Sequence, residues 1–194
     1  RWMAPSTYGR ANGKSFVHAQ PSSEAELQSA LEAVVACPTG SIRTERPESR
    51  MKDVAREAFP LAVAPDLPHV FHLGYHSHAS FGATPYLVCG QKADGSPLVL
   101  MVDSPRFNSR LANRLEAVCG APPELLLLTH MDDVSDHNRW KERFSSLRRV
   151  MHSADVRGAD RWPHIDMRDV EMQLEGSGPW ELEPGVQASR AALA

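Results

Sequence analysis

Residues Thr129 to His137 read Thr-His-Met-Asp-Asp-Val-Ser-Asp-His, which packs two imidazoles and three carboxylates into one short stretch. Donors of this kind suit zinc, iron or manganese. A cation held there would lower the pKa of a bound water to about 7, giving a hydroxide nucleophile, and would polarise a carbonyl or phosphoryl group. The plainer reading is an acidic turn whose aspartates, Asp136 above all, cap a helix starting near Asn138, since a helix N-terminus favours negative charge. A second reactive group stands in Cys37-Pro38-Thr39-Gly40-Ser41-Ile42, where a thiol precedes a proline. As a lone thiol, Cys37 reads most simply as a buried, small apolar residue near a helix end.

These residues need elements to hold them. Leu125 to Leu128 is a run of four leucines, the pattern of a strand buried on both faces, and Thr129 would be its last residue. Trp140, Phe144 and Leu147 then fall on one face of a predicted helix over 138–147. Strand, polar turn, helix is where open α/β sheets place their sites. Upstream, Val70–Gly74, Ser80–Val88 and Pro97–Ser104 read as strands, the last two joined through Asp94-Gly95. Asn108 caps a helix carrying Leu111, Leu115 and Val118 and ending at Gly120. Nearer the start, Ser15–Ala19 reads as a short strand. Ser23 and Glu26 have capping-box spacing ahead of the stripe Leu27, Ala30, Leu31, Val34, Val35. That helix stops at Cys37-Pro38, because proline has no N–H and restricts its predecessor. Met51–Phe59 reads as a short helix, Arg149–Met151 and Trp180–Leu182 as short strands, and Asp166–Leu174 as either strand or helix. Residues 157–169 read as irregular, and Gln187–Ala194 as an Ala-rich tail without a strand. His72, His76 and His78 read as a surface turn.

Bulk properties narrow the classes. The 194 residues are 42% hydrophobic and 23% charged, ordinary for a globular chain, and the formal charge of -3 does not point to a nucleic-acid partner. No apolar run approaches the ~18 residues of a membrane span. Cys37, Cys89 and Cys119 are an odd, widely spaced set, which argues against a disulfide scaffold and for a reducing compartment, plastid stroma or cytoplasm.

The ordered set of strands, helix, leucine strand and His/Asp loop resembles the metallo-β-lactamase-fold hydrolases, whose signature is His-x-His-x-Asp-His after a hydrophobic strand. Thr129-His130 and Asp136-His137 match its two ends; Asp132 stands where the second His falls, and two extra residues separate the halves. The resemblance implies a metal-dependent hydrolase that uses activated water on an ester, thioester or related bond of a small-molecule substrate. His130, Asp132, Asp136 and His137 would hold divalent zinc or iron, and Asp136 would also orient the catalytic water. Asp133 is the alternative ligand if the insertion displaces Asp132, and Thr129 and Asp103 would steady the histidines. The segment around Cys37 resembles the end of a ferredoxin-like domain, so in a longer parent Cys37 would be one ligand of a 4Fe-4S cluster, which takes about four thiolates.

The fold expected from these resemblances is α/β: the first half of a metallo-β-lactamase sandwich, one mixed sheet with outer helices, behind a partial ferredoxin-like α+β segment. The boundaries expected are 1–46 for that segment, 47–68 for a linker, 69–186 for the half domain and 187–194 for a divergent tail. The family's later metal ligands are not found before Ala194, so the chain reads as cut at both ends, weakly active or inactive, with an uncovered sheet face open to self-association. The alternative is a non-enzymatic, redox-associated interaction module.

Overall fold

In the computed structural model the chain is described at residues 2–37, 39–45, 49–80, 82–159, 167 and 169–189. The expectations for Pro38, Phe81, residues 160–166 and the tail from 190 lie outside the described residues.

The first unit is a hairpin and two helices. β1 (Tyr8–Ala11) pairs antiparallel with β2 (Lys14–Val17) around Asn12-Gly13, both at positive φ, the geometry that matches the twist of a two-residue hairpin turn. α1 (Glu24–Ala36) starts where the capping spacing predicts, with the Ser23 hydroxyl accepting from the Glu26 N–H. The reciprocal bond is shifted by one residue: the Glu26 carboxylate takes the N–H of Ser22 at 2.7 Å. α2 (Ser49–Glu57) lies against α1, tied to it by an Arg50–Glu24 ion pair.

A mixed sheet of seven strands follows, β3 (Leu61–Ala62), β4 (Val70–His72), β5 (Tyr86–Gln91), β6 (Pro97–Val102), β7 (Leu125–Leu127), β8 (Arg148–His152) and β9 (Met172–Leu174), in that spatial order. β3 to β6 pair antiparallel and β6 to β9 parallel. The change of direction comes at β6, because its connection to β7 carries α3 (Ser109–Cys119), and parallel neighbours need such a crossover. α3 has the ends expected of it: Asn108 accepts the N–H groups of Arg110 and Leu111, and Gly120 closes the helix at φ 71°. α4 (His137–Arg143) and α5 (Ser153–Ala159) complete the helices.

Alternation along the central strands divides the core. Val99, Met101, Leu126, Leu128 and Met151 face the helices, where they meet Leu111, Leu115, Trp140, Phe144 and Leu147. Leu98, Leu125, Val150 and Leu174 face the other way. That second face was expected to be uncovered. Instead β10 (Trp180–Glu183) and β11 (Val186–Ala188) form a hairpin whose Leu182 closes over it, with Trp180, Val186 and Ala188 at the rim. The expectation of no strand after Val186 is thereby corrected. Pro184-Gly185, with Gly185 at φ 80°, supplies the turn that lets the chain double back.

Four further expectations change. α4 ends at Arg143, yet Trp140, Phe144 and Leu147 still reach the core, because Phe144 and Leu147 continue inward beyond the helix. β5 begins at Tyr86, since His78–Ser80 is a 3-10 turn rather than strand. α5 occupies part of the stretch read as irregular. Cys89 and Cys119, expected as free thiols, are joined: β5 and the end of α3 bring their Cα atoms to 5.5 Å, within disulfide range. Among the described residues no helix is long and apolar enough to cross a membrane.

Candidate functional site

Three places gather reactive side chains. The first is the turn after α1. The helix ends because Cys37 turns extended, at φ -67° and ψ 116°. The chain then wraps back on the half-buried sulfur. Burial pushes the Cys37 thiol up, but hydrogen bonding from the backbone of Ile42, Ser41 and Thr39 and from the Thr39 hydroxyl, 3.6 Å away, outweighs burial, so its pKa is lowered. Thr39 and Ser41 hydroxyls meet at 2.7 Å, and Gly40 sits between them at φ 61°, a conformation that costs glycine little. The turn is a cradle for a thiolate.

The second is the strand-end loop. β6 and β7 are parallel, so Asp103 and Thr129, just past their C-terminal ends, come side by side. The Asp103 carboxylate accepts the Thr129 N–H at 2.9 Å and its hydroxyl at 2.8 Å. Burial raises the Asp103 pKa, and those two bonds pull against it. Thr129 and Asp103 therefore hold each other rather than a histidine. Asp133 is pushed up to about 6, first by burial and then by the negative charges of Asp103 and Asp132, with His130 opposing.

The predicted ligands divide. His130 and Asp132 pair, Nδ1 to Oδ2 at 3.3 Å, and both are open to solvent. Asp136 turns the other way: at φ 56° its Oδ2 accepts the Phe107 N–H at 2.7 Å and lies 3.9 Å from Arg139, and its side chain does not cap α4 although it holds the N-cap position. His137 is buried, its Nδ1 3.3 Å from the Arg149 guanidinium. Among the described residues no group of three or more His, Cys, Asp or Glu side chains could hold a metal ion. The proposed set of His130, Asp132, Asp136 and His137 is thus not assembled. The residues in this arrangement do not fit a divalent cation, because a guanidinium beside His137 repels the charge that the site would take.

A third cluster was misread from sequence. His72, expected on a surface turn with His76 and His78, is fully buried, and its Nε2 lies 2.8 Å from that of His76. The rings of Trp2, Phe59 and Tyr86 pack edge-on around it. Its place in β4, opposite Tyr86 in β5, was the available signal: the strand alternation Val70-Phe71-His72 puts His72 on one face of the sheet.

Comparison with known proteins adds three findings. The family description "4Fe-4S single cluster domain of Ferredoxin I" matches residues 1–44. No curated protein matches the chain. Among solved structures, a long form RNase Z from yeast is 10% identical with a TM-score of 0.30; the match covers 81% of this chain and 23% of that one. The chain thus spans under a quarter of that enzyme's length. The ferredoxin match ends seven residues beyond Cys37, so it contains the cradle. A cluster of that kind needs about four thiolates. Cys37 fits one of them, and the other two cysteines, Cys89 and Cys119, are bonded to each other in the sheet unit. The 194 residues alone therefore do not fit a whole cluster.

Proposed function

We propose that the protein couples an iron–sulfur electron-transfer segment to a metallo-β-lactamase-type sheet domain, with Cys37 as a cluster ligand completed by thiolates outside these residues. The carrying observation is the turn after α1, where the Thr39 hydroxyl lies 3.6 Å from the Cys37 sulfur and hydrogen bonding from the turn lowers the pKa of the thiol. Such bonds lower the charge on a coordinating sulfur and tune the potential of the centre it holds. The match of residues 1–44 to a single-cluster ferredoxin domain supports the same reading. The test is anaerobic reconstitution of the chain with ferrous iron, sulfide and a peptide carrying Cys-x-x-Cys-x-x-Cys. The expected result is a cluster whose visible absorbance runs with the protein on a sizing column and is lost in Cys37→Ala. Equal iron in the native chain and Cys37→Ala would remove the proposal.

Metal-dependent hydrolysis is the second reading. Its support is placement: His130, Asp132, Asp133 and Asp103 sit past the carboxyl ends of parallel strands, and Asp133 ionises close to neutrality. On this reading Asp136 and His137 join His130 and Asp132 only after leaving Phe107 and Arg149. Equilibrium dialysis against zinc or ferrous iron decides it. One ion retained per native chain and lost in His130→Ala supports the site; retention that His130→Ala does not change removes it. His130 is exposed, so this variant tests ligation without disturbing the core.

A further inference from the structure

The cysteines carry a contradiction. On the iron–sulfur reading Cys37 serves as a reduced ligand, yet the same chain joins Cys89 to Cys119. Both hold where the bond is one that opens and closes. We infer that Cys89–Cys119 is a redox-sensitive staple, which a dithiol reductant opens in the folded protein, freeing the last turn of α3 from β5.

The placement of the bond supports this independently of the iron–sulfur reading, on which only the contradiction rests. Leu115 is the last fully buried residue of α3. Beyond it Ala117 and Val118 are exposed, and Cys119 is half-buried, as is Cys89. Among the described residues the turn is also held by the exposed Glu116–Arg143 pair at 3.0 Å, which contributes about 0–1 kcal/mol, and by the packing of Cys119 on the edge of the core. The disulfide is therefore the main tether of this end, and it lies within reach of solvent. The opposite end of α3 begins two residues after Phe107, whose N–H holds Asp136 and whose ring lies 5.0 Å from that of Trp140.

The step balances as ordinary exchange. A thiolate of the reductant attacks one sulfur and expels the other as a thiolate, which takes up a proton. The reductant's second thiol then closes its own disulfide and releases the first cysteine as a thiol. Two electrons and two protons pass from the dithiol to Cys89 and Cys119.

The test uses the native chain and dithiothreitol. Without reductant, alkylation followed by mass measurement should mark Cys37 alone of the three cysteines. With dithiothreitol and no denaturant it should mark all three, Tm should fall by roughly 10 °C, and both changes should reverse when the reductant is removed. A Cys89→Ser, Cys119→Ser double variant should already melt at the lower temperature and ignore dithiothreitol. Two results overturn the proposal: Cys89 and Cys119 alkylated before reduction, or a bond that survives dithiothreitol until the protein is denatured. Where the double variant does not fold, the alkylation pattern of the native chain still decides. Cys37→Ala is run beside it; its staple should respond as in the native chain even if Cys37 proves to hold no cluster.

Discussion

Lowering the pH from 7 to about 5 should cost this protein on the order of 2–3 kcal/mol of stability, before any of its ordinary carboxylates titrate. The source is the buried histidine pair. Burial, and for His72 also the charge of its neighbour, lowers the pKa of His72 to about 3; burial lowers that of His76 to about 4. Both rings are neutral in the fold, one donating to the other at 2.8 Å, and the Nδ1 of His72 is buried without a hydrogen-bond partner among the described residues. Above 6.5 the unfolded chain holds both histidines neutral too, so nothing is lost. Below 6.5 the unfolded chain binds two protons that the folded chain refuses, and stability falls by up to about 2.7 kcal/mol per pH unit until the folded values are reached.

Asp133 works the other way. Its folded pKa lies above the ordinary one, so its cost is present at neutral pH and is relieved as the pH falls through about 6. That returns up to about 1.4 kcal/mol per unit, half the histidine slope, and Asp103 acts in the same sense. The histidines win between pH 6.5 and about 5, and Tm should drop there by roughly 5–10 °C. A His72→Phe, His76→Leu chain removes both refused protons and should hold its Tm, or gain slightly, over that window. A Tm profile with the native slope in that double variant would show that the pair is not the cause.

Local signals in the chain account for its elements better than for its site. Ser23, Asn108 and Gly120 end helices through bonds to the backbone within three or four residues, so their meaning is contained in a short window. The leucines of β7 declare a strand buried on both faces for the same reason. What the sequence could not show is set by long-range partners. Asp136 and His137 look like a pair of ligands because they adjoin. In the fold Phe107, 29 positions upstream, claims the carboxylate and Arg149, 12 downstream, claims the imidazole. Leu182 reads as part of a stray strand until the hairpin brings it over Leu125 and Val150. Cys89 and Cys119 are 30 residues apart, and only the crossover from β6 through α3 brings them together. Cys37 is the exception among the reactive residues: its partners lie within five positions, and the proline-flanked turn already marked it.

Replacing Arg149 with Met should destabilise the fold by about 3–5 kcal/mol, because it leaves a buried network without the guanidinium at its centre. Arg149 projects from β8 into the helix layer with its side chain 4% exposed. Its Nε and Nη2 donate to the two oxygens of Glu171 at 3.0 and 3.1 Å, and further donations reach Asn138 and the carbonyl of Asp169. Burial alone would raise the pKa of Glu171, but bonds from the Arg149 side chain and backbone N–H hold it at about 2. Lys141 adds a contact at 3.3 Å, too exposed to substitute for the lost bonds. Removing the guanidinium strips Glu171 of its two side-chain bonds, leaving the backbone N–H of position 149 and an under-compensated, partly buried charge, and it takes from His137 Nδ1 its contact with Arg149. An Arg149→Met, Glu171→Leu double variant loses both charges together and should recover a large part of the deficit, since two matched apolar groups cost less than one stranded ion. Denaturant melts of the two single variants and the double one measure this directly. Strictly additive losses would mean that the pair is not coupled. The same melts bear on the strand-end loop: if His137 is held by Arg149 rather than by a cation, adding zinc should leave the Arg149→Met deficit unchanged, whereas rescue by zinc would show that freeing the imidazole makes a metal ligand of it.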